Sequence, residues 1–224
     1  MNARLPKSPP NNEDELLFRC LQIEGISFAQ LANFIQASIP KDQVKRKGWA
    51  GQAIELILGA TAGTKAVPDF NHLNIELKTI PFNNRGKPAE STFITSIPLL
   101  HVHRQEWYAS ECYQKLKRIL WIPVEGAREI PFAQRRIGQA YLWSPTPEQE
   151  EILQQDWLEL TTMIGTGRLE EIDATMGHYL QVRPKAANAR SLCYGLDNEG
   201  NKILTLPRGF YLRRSFTEII FSIK

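Results

Sequence analysis

Three side chains able to do chemistry together, Asp69, Glu76 and Lys78, fall within the short stretch Asp69-Phe-Asn-His-Leu-Asn-Ile-Glu-Leu-Lys78-Thr-Ile-Pro-Phe82. If residues 74–79 form a strand, alternation puts Asn74, Glu76 and Lys78 on one face and Ile75, Leu77 and Thr79 on the other. Asp69, on the turn that follows Pro68, can swing its carboxylate toward the same point. Two carboxylates beside a lysine make a hard-oxygen site suited to Mg²⁺, with Mn²⁺ as a substitute, and to an attacking water. Lys78 can orient that water, stabilise charge at phosphorus, or act as the base where its pKa is depressed. The chemistry indicated is phosphodiester hydrolysis.

A charged triplet at this spacing arises by chance ~0.5 times in a chain of this length, so its surroundings must decide between a site and an exposed strand face carrying a surface ion pair. Glu55 lies on a helix whose Ala53, Ile54, Ile57 and Leu58 form an apolar side, and it can point into the same cleft as a third acid for the metal.

The elements that would position these residues are marked by caps and breakers. Asn12 before Glu13, Asp14 and Glu15 opens a first helix, and Ser27-Phe-Ala-Gln30 is a capping box for a second. The basic run 41–47 reads as a loop before a third helix from Gly48 to Gly59. Strands are expected at residues 73–80, 91–97, 116–124 and 140–143, with a hairpin-like turn at 83–87 joining the first two. Thr146-Pro147-Glu148-Gln149 opens an acidic helix through Ile164, residues 168–174 form a short helix, and 179–183 and 209–213 are extended. Ser215-Phe-Thr-Glu218 caps a terminal helix. The class is α/β, with a mixed central sheet of about five or six strands flanked by helices. Residues 1–11 read as a flexible leader and 12–224 as a single domain of two lobes around a cleft.

A hydrophobic fraction of 42% and a charged fraction of 23% fit a soluble globular chain. No apolar run approaches the ~20 residues of a membrane span, and the N-terminus lacks a secretory signal's apolar core. Cys20, Cys112 and Cys193 are odd in number and far apart, which argues against disulfides and a zinc site and for a reducing cytoplasm. Charge is uneven: residues 181–224 hold eight basic against three acidic side chains, whereas 145–175 hold one against eight. A basic face of that kind suits a polyanionic partner.

A helix glutamate followed by D-x6-E-L-K on a strand resembles the PD-(D/E)-x-K nucleases of the restriction-endonuclease-like superfamily. The segments KGWAGQAIELILGATAGTKAVPDF, NIELKTIP, KLKRILWIPVEG, QRRIG, LWSPTPEQE, QDWLEL, RPKAANAR and ILTLPRGFYL narrow the resemblance to the MutH family of mismatch-repair endonucleases, over residues 20–220. The resemblance implies a monomeric, Mg²⁺-dependent enzyme that nicks the unmethylated strand of double-stranded DNA at hemimethylated GATC and is switched on by MutL after MutS finds a mismatch. Carried over by residue, Asp69, Glu76 and Lys78 are catalytic, with Glu55 the helix acid near the metal, so Asp69, Glu76 and Glu55 are the implied ligands. Lys47, Phe93, Lys115, Arg183, Pro184, Lys185 and Tyr211 are the implied DNA contacts. An adenine N6 is exposed in the major groove, where a close-fitting Tyr211 or Arg183 can exclude a second methyl. The segment Glu111-Cys-Tyr-Gln114 departs from the family pattern just before KLKR.

Two other readings stand beside this one. A GATC-cutting type II restriction enzyme would need two active sites, whereas this chain carries one D-x6-E-L-K. A non-catalytic DNA-binding repair protein would keep the basic face and abandon the acids, all of which are intact here.

Overall fold

The computed structural model describes residues 8–222 except Thr64, Ala187 and Ala189, together with all but the side chain of Lys47 within that span. In chain order its helices are α1 (Glu13–Ile23), α2 (Phe28–Phe34), α3 (Gln43–Leu58), α4 (Glu111–Leu116), α5 (Pro147–Gly165) and α6 (Arg214–Ser222). Its strands are β1 (Glu76–Phe82), β2 (Thr92–Ser96), β3 (Ile119–Glu125), β4 (Tyr141–Trp143), β5 (Leu180–Pro184), β6 (Cys193–Leu196), β7 (Lys202–Thr205) and β8 (Arg208–Leu212). The chain divides into two compact units, Met1–Ala89 with Arg118–Ser144 and Glu90–Lys117 with Pro145–Lys224. Residues 1–7 of the expected leader lie outside the described residues.

In the first unit, β1 pairs in parallel with β3, Glu76 opposite Ile119 and Lys78 opposite Trp121, and β3 pairs antiparallel with β4. The sheet is mixed, with β1 at one edge. Parallel neighbours need a long crossover, and here the intervening chain contributes β2 and α4 to the second unit. Helix α1 is capped by Asn12, whose side chain accepts the Glu15 N–H, and α2 carries the expected Ser27–Gln30 capping box. Helix α3 begins earlier than expected: the Asp42 carboxylate accepts the N–H groups of Val44 and Lys45, so most of the basic run is helical. Gly59, at φ +86°, ends it in the left-handed region that glycine enters freely. The core gathers Leu16, Leu31, Ile54, Leu58, Phe70, Ile75, Leu120 and Ile122, each 0–1% exposed, and burying a side chain of this size stabilises the fold by ~1.5–3 kcal/mol.

In the second unit β8 lies between β2 and β5, antiparallel to both, and β6 and β7 form a separate hairpin. The α/β class is as expected, but the described strands divide among three small sheets instead of one of five or six. The turn at 83–87 closes on itself, Asn83 N–H to Lys87 O at 2.9 Å, while β1 and β2 go to different sheets. The Thr146–Gln149 capping box and Pro147 open α5 as expected, and its Leu153, Trp157, Leu160 and Ile164 are buried.

A clamp fixes where β5 begins. The buried Asp156 carboxylate on α5 accepts the N–H groups of His178, Tyr179 and Leu180 at 2.7–2.8 Å. The Arg213 guanidinium donates to the carbonyls of Ala174, Met176 and Gly177, and the Tyr179 ring stacks on Phe216 at 3.8 Å. Helix α6 therefore starts at Arg214, its first backbone bond running from Thr217 N–H to Arg213 O. Ser215 lies inside the first turn and does not cap the helix as expected. Among the described residues no helix is long and apolar enough to cross a membrane.

Candidate active site

The sequence around Asp69 folds into a tight reversal. Phe70, fully buried, bridges Ile75 through two backbone hydrogen bonds, and the residues between them make a single 3-10 turn, Asn71–Leu73. Asn74 closes the reversal at φ +57°, a conformation that asparagine tolerates better than most residues. The chain after the turn becomes β1, and the residue just before it, Asp69, is returned to the free edge of that strand. Its Oδ2 accepts the Leu77 N–H at 2.8 Å.

The direction of that bond follows from strand geometry. Along β1 successive N–H groups point to opposite edges; the Glu76 N–H points inward and bonds Arg118 O, so the Leu77 N–H points outward. An edge strand has no partner for it, and the Asp69 carboxylate supplies the acceptor. Asp69 thereby lies beside the backbone that carries Glu76 and Lys78.

Glu76 is 2% exposed, so the face it shares with Lys78 is not a solvated strand surface. A carboxylate buried without a counter-charge costs several kcal/mol, and Lys78 supplies one, its Nζ standing 2.6 Å from Glu76 Oε1. Two carboxylates and an ammonium are therefore brought together at one edge of the sheet. Their oxygen donors fit a hard divalent cation.

Glu55 projects from α3 toward β1. Its Oε1 and Thr79 Oγ1 lie 3.9 and 3.4 Å from the point where a Cβ on Gly51 would stand, next to the residue that follows Lys78. Among the described residues no group of three or more His, Cys, Asp or Glu side chains is gathered closely enough to hold a metal, so Glu55 is not drawn with Asp69 and Glu76 into a three-acid cluster. The structure pairs Glu76 with Lys78 and ties Asp69 to Leu77 between them.

The second unit assembles another group from one face of the sheet. Register pairs Phe93 with Tyr211, Tyr211 with Gln181, and Gly209 with Arg183, so these residues share a face while Leu180, Val182, Phe210 and Leu212 are buried on the other. Phe93 meets Tyr211 edge to face at 5.3 Å. The Arg183 guanidinium lies 5.8 Å from the Tyr211 ring centre, and the Lys185 ammonium 4.2 Å from that of Phe93, distances at which a cation is attracted to an aromatic face. Burial raises the Tyr211 phenol above its ordinary pKa and Glu90 adds to this, against the opposing effect of Arg183. The phenol therefore keeps its proton and can donate as well as accept.

Pro184 ends β5, exposed and opposite Arg208. Lys115 occupies the last turn of α4, 3.7 Å from Glu111. Lys47 lies on α3, and its side chain is outside the described residues. The divergent segment before KLKR is helical, Ser110 capping α4 by accepting the Tyr113 N–H.

Two residues that the sequence did not single out complete the second face. Ser91 Oγ receives both Gln181 Nε2 and Arg183 Nη1 at 3.1 Å. Gly209 underlies Phe93, where an added Cβ would stand 2.8 Å from Phe93 Cε2. The one sequence signal for the latter was a glycine between Arg208 and Phe210 in an extended run.

Comparison with known proteins shows which family the chain is similar to. Residues 58–156 match the MutH family, described as DNA mismatch repair enzyme MutH. The chain is 50% identical over 210 residues to the DNA mismatch repair protein MutH of Histophilus somni strain 2336, covering 94% of each. It is 47% identical over 214 residues to that of Shewanella baltica strain OS185, covering 96% of each. It is 50% identical over 211 residues to that of Vibrio cholerae serotype O1, covering 94% of this chain and 96% of the relative.

Proposed function

Because the chain belongs to the MutH family of DNA mismatch repair enzymes, we propose that it is a Mg²⁺-dependent endonuclease that nicks the unmethylated strand of double-stranded DNA at hemimethylated GATC. In this reading MutL activates it after MutS has found the mismatch, and the enzyme works as a monomer in the cytoplasm. The observation that carries the catalytic part is the reversal at residues 69–77, which brings Asp69 to the strand that bears Glu76 and Lys78.

Asp69 and Glu76 hold the ion, and Glu55, on the adjoining helix α3, assists from beside Thr79. Mg²⁺, or Mn²⁺ in its place, supplies Lewis acidity toward a phosphoryl oxygen and lowers the pKa of water. The chain's own residues do the rest. Glu76 anchors the Lys78 ammonium. Lys78 in turn orients the attacking water and steadies charge on the phosphate, and it takes the water's proton only where it has first given up its own and stands as the neutral amine.

Arg183, Lys185, Phe93 and Tyr211 read the DNA, with Pro184 shaping the end of the same strand. Lys47 and Lys115 contact phosphates. The adenine N6 lies in the major groove, where a protonated Tyr211 held against Phe93 leaves little room for a methyl group on the second strand. One catalytic centre per chain yields a nick.

The test is a nicking assay on unmethylated, hemimethylated and fully methylated GATC duplexes, with and without MutL, accompanied by light scattering with DNA and Mg²⁺. The expected result is MutL-stimulated nicking of the first two by a monomer. Double-strand breaks by a dimer would indicate a restriction enzyme instead, and binding without cleavage a non-catalytic repair protein.

A further inference from the structure

We propose that Ser91 and Gly209 are positioning residues for DNA reading, Ser91 fixing the Arg183 guanidinium and Gly209 seating the Phe93 ring. The proposal rests on the reading above that Arg183, Phe93 and Tyr211 contact the DNA.

Arg183 is exposed near the end of β5, and a long side chain in that situation samples many rotamers unless something holds it. Ser91, just before β2, is what holds it here. A hydroxyl oxygen has two acceptor sites, and at Ser91 they are taken by Arg183 Nη1 and by Gln181 Nε2. Gln181 is buried, 6% exposed, so the serine is tied to a fixed point of the sheet and passes that order to the guanidinium. With both acceptor sites filled, the hydroxyl proton is left to be donated elsewhere, and DNA is rich in acceptors. The Arg183 side chain is thus presented in one orientation beside the Tyr211 ring.

Gly209 acts through space, since its φ is not in the left-handed region. It stands opposite Arg183 in the β5–β8 register. A Cβ there would meet Phe93 Cε2 at 2.8 Å and Thr95 O at 3.1 Å. The bare backbone lets the Phe93 ring lie across β8, where it meets Tyr211 on its edge and the Lys185 ammonium over its face. A methyl group at this position would lift the ring and disturb both contacts.

The experiment compares cleavage of GATC with that of duplexes altered at one base, for Arg183→Ala, Ser91→Ala, Ser91→Thr and Gly209→Ala, each with its thermal midpoint. Arg183→Ala serves as the control for the underlying reading and should lower discrimination. Ser91→Ala should lower it by ~10-fold, the size of one hydrogen bond to a charged group, and should lower the midpoint as well, because the buried Gln181 amide loses an acceptor. Ser91→Thr, which keeps the hydroxyl, should restore it. Gly209→Ala should raise KM with little change in kcat. If Arg183→Ala leaves discrimination intact, the reading of this face falls. If Arg183→Ala lowers discrimination but Ser91→Ala does not, or Ser91→Thr fails to restore it, the positioning role of Ser91 is overturned. Should Gly209→Ala lower the midpoint, adding Phe93→Ala must recover it; no recovery overturns the role given to Gly209.

Discussion

Asp69 has two roles that one pair of substitutions can separate. Its carboxylate accepts the Leu77 N–H at the edge of β1, and in the proposed mechanism it is also a metal ligand. In Asp69→Asn an amide oxygen can still take that hydrogen bond while the charge is gone. A neutral bond is about half as strong as a charge-assisted one, whose net worth is ~1.5–3 kcal/mol, so the expected loss of stability is ~1 kcal/mol. Asp69→Ala removes the acceptor altogether. Leu77 is 3% exposed, and an N–H orphaned in such surroundings adds a desolvation penalty of ~1–3 kcal/mol. Urea unfolding should therefore rank wild type above Asn and Asn above Ala. Nicking of a hemimethylated GATC duplex in Mg²⁺ should instead fall in both variants alike, by several kcal/mol of transition-state stabilisation or roughly a thousand-fold. The same unfolding experiment reports the ion directly. At Mg²⁺ ten-fold above its Kd the wild type gains ~1.4 kcal/mol, a gain both variants should lose. Asp69→Asn that nicks within ten-fold of wild type would reduce Asp69 to a backbone clip and refute the ligand assignment.

Other consequences are equally direct. Tyr211→Ala should bring cleavage of fully methylated sites closer to that of hemimethylated ones, and an unchanged ratio of the two rates rules out Tyr211 as the methyl sensor. Asp156→Ala strands three N–H groups at the start of β5 and should destabilise the chain by roughly 3–5 kcal/mol in urea unfolding; a loss under ~1 kcal/mol would show that the clamp is not what holds β5. Alkylation of the native protein near pH 8 should modify Cys193 alone, because Cys20 and Cys112 are buried. Burial raises the Cys20 thiol from an ordinary 9.0 to about 12, so its neutral form stabilises the fold fully below pH 9 and that contribution is lost as pH rises toward 12. Labelling of Cys20 at the rate of Cys193 would contradict its burial.

The parts of the fold legible in the sequence are those governed by local hydrogen bonds. Asn12, Ser27 and Thr146 each satisfy helix donors within three residues of themselves, and all three caps form. Where two local signals compete, reading fails. The basic run 41–47 looked like a solvated loop, but Asp42 lies within it as an N-cap and starts α3. Ser215 had the pattern of a cap, yet the Arg213 N–H bonds Tyr179 O and its carbonyl takes the first helical bond from Thr217 N–H, so the helix is already under way before Ser215. The β6–β7 hairpin went unread, although Asp197 accepting the N–H groups of Glu199 and Asn201 is a recognisable turn device. Sheet membership was the least legible feature. β1 and β2 follow one another across a tight turn and still pair with β3 and β8, a choice made by distant partners that no local spacing records.

At the site, the residue types were legible and their surroundings were not. Alternation put Glu76 and Lys78 on one face but left open whether that face was a site or an exposed strand surface, and Glu76 is almost wholly buried. The spacing between Asp69 and Glu76 carried no stated reason in the sequence; the structure supplies one. Phe70 must bury its ring and pair with Ile75, and a single turn closed by Asn74 is enough to bring the preceding acid back to the strand edge. An edge strand needs acceptors for its outward N–H groups or it will recruit another strand. A carboxylate meets that need at Leu77, so the same side chain that protects β1 there can also present an anionic oxygen beside it. Phosphodiester chemistry requires such an oxygen to be fixed in place before substrate arrives, and at Asp69 the hydrogen bond to Leu77 fixes it.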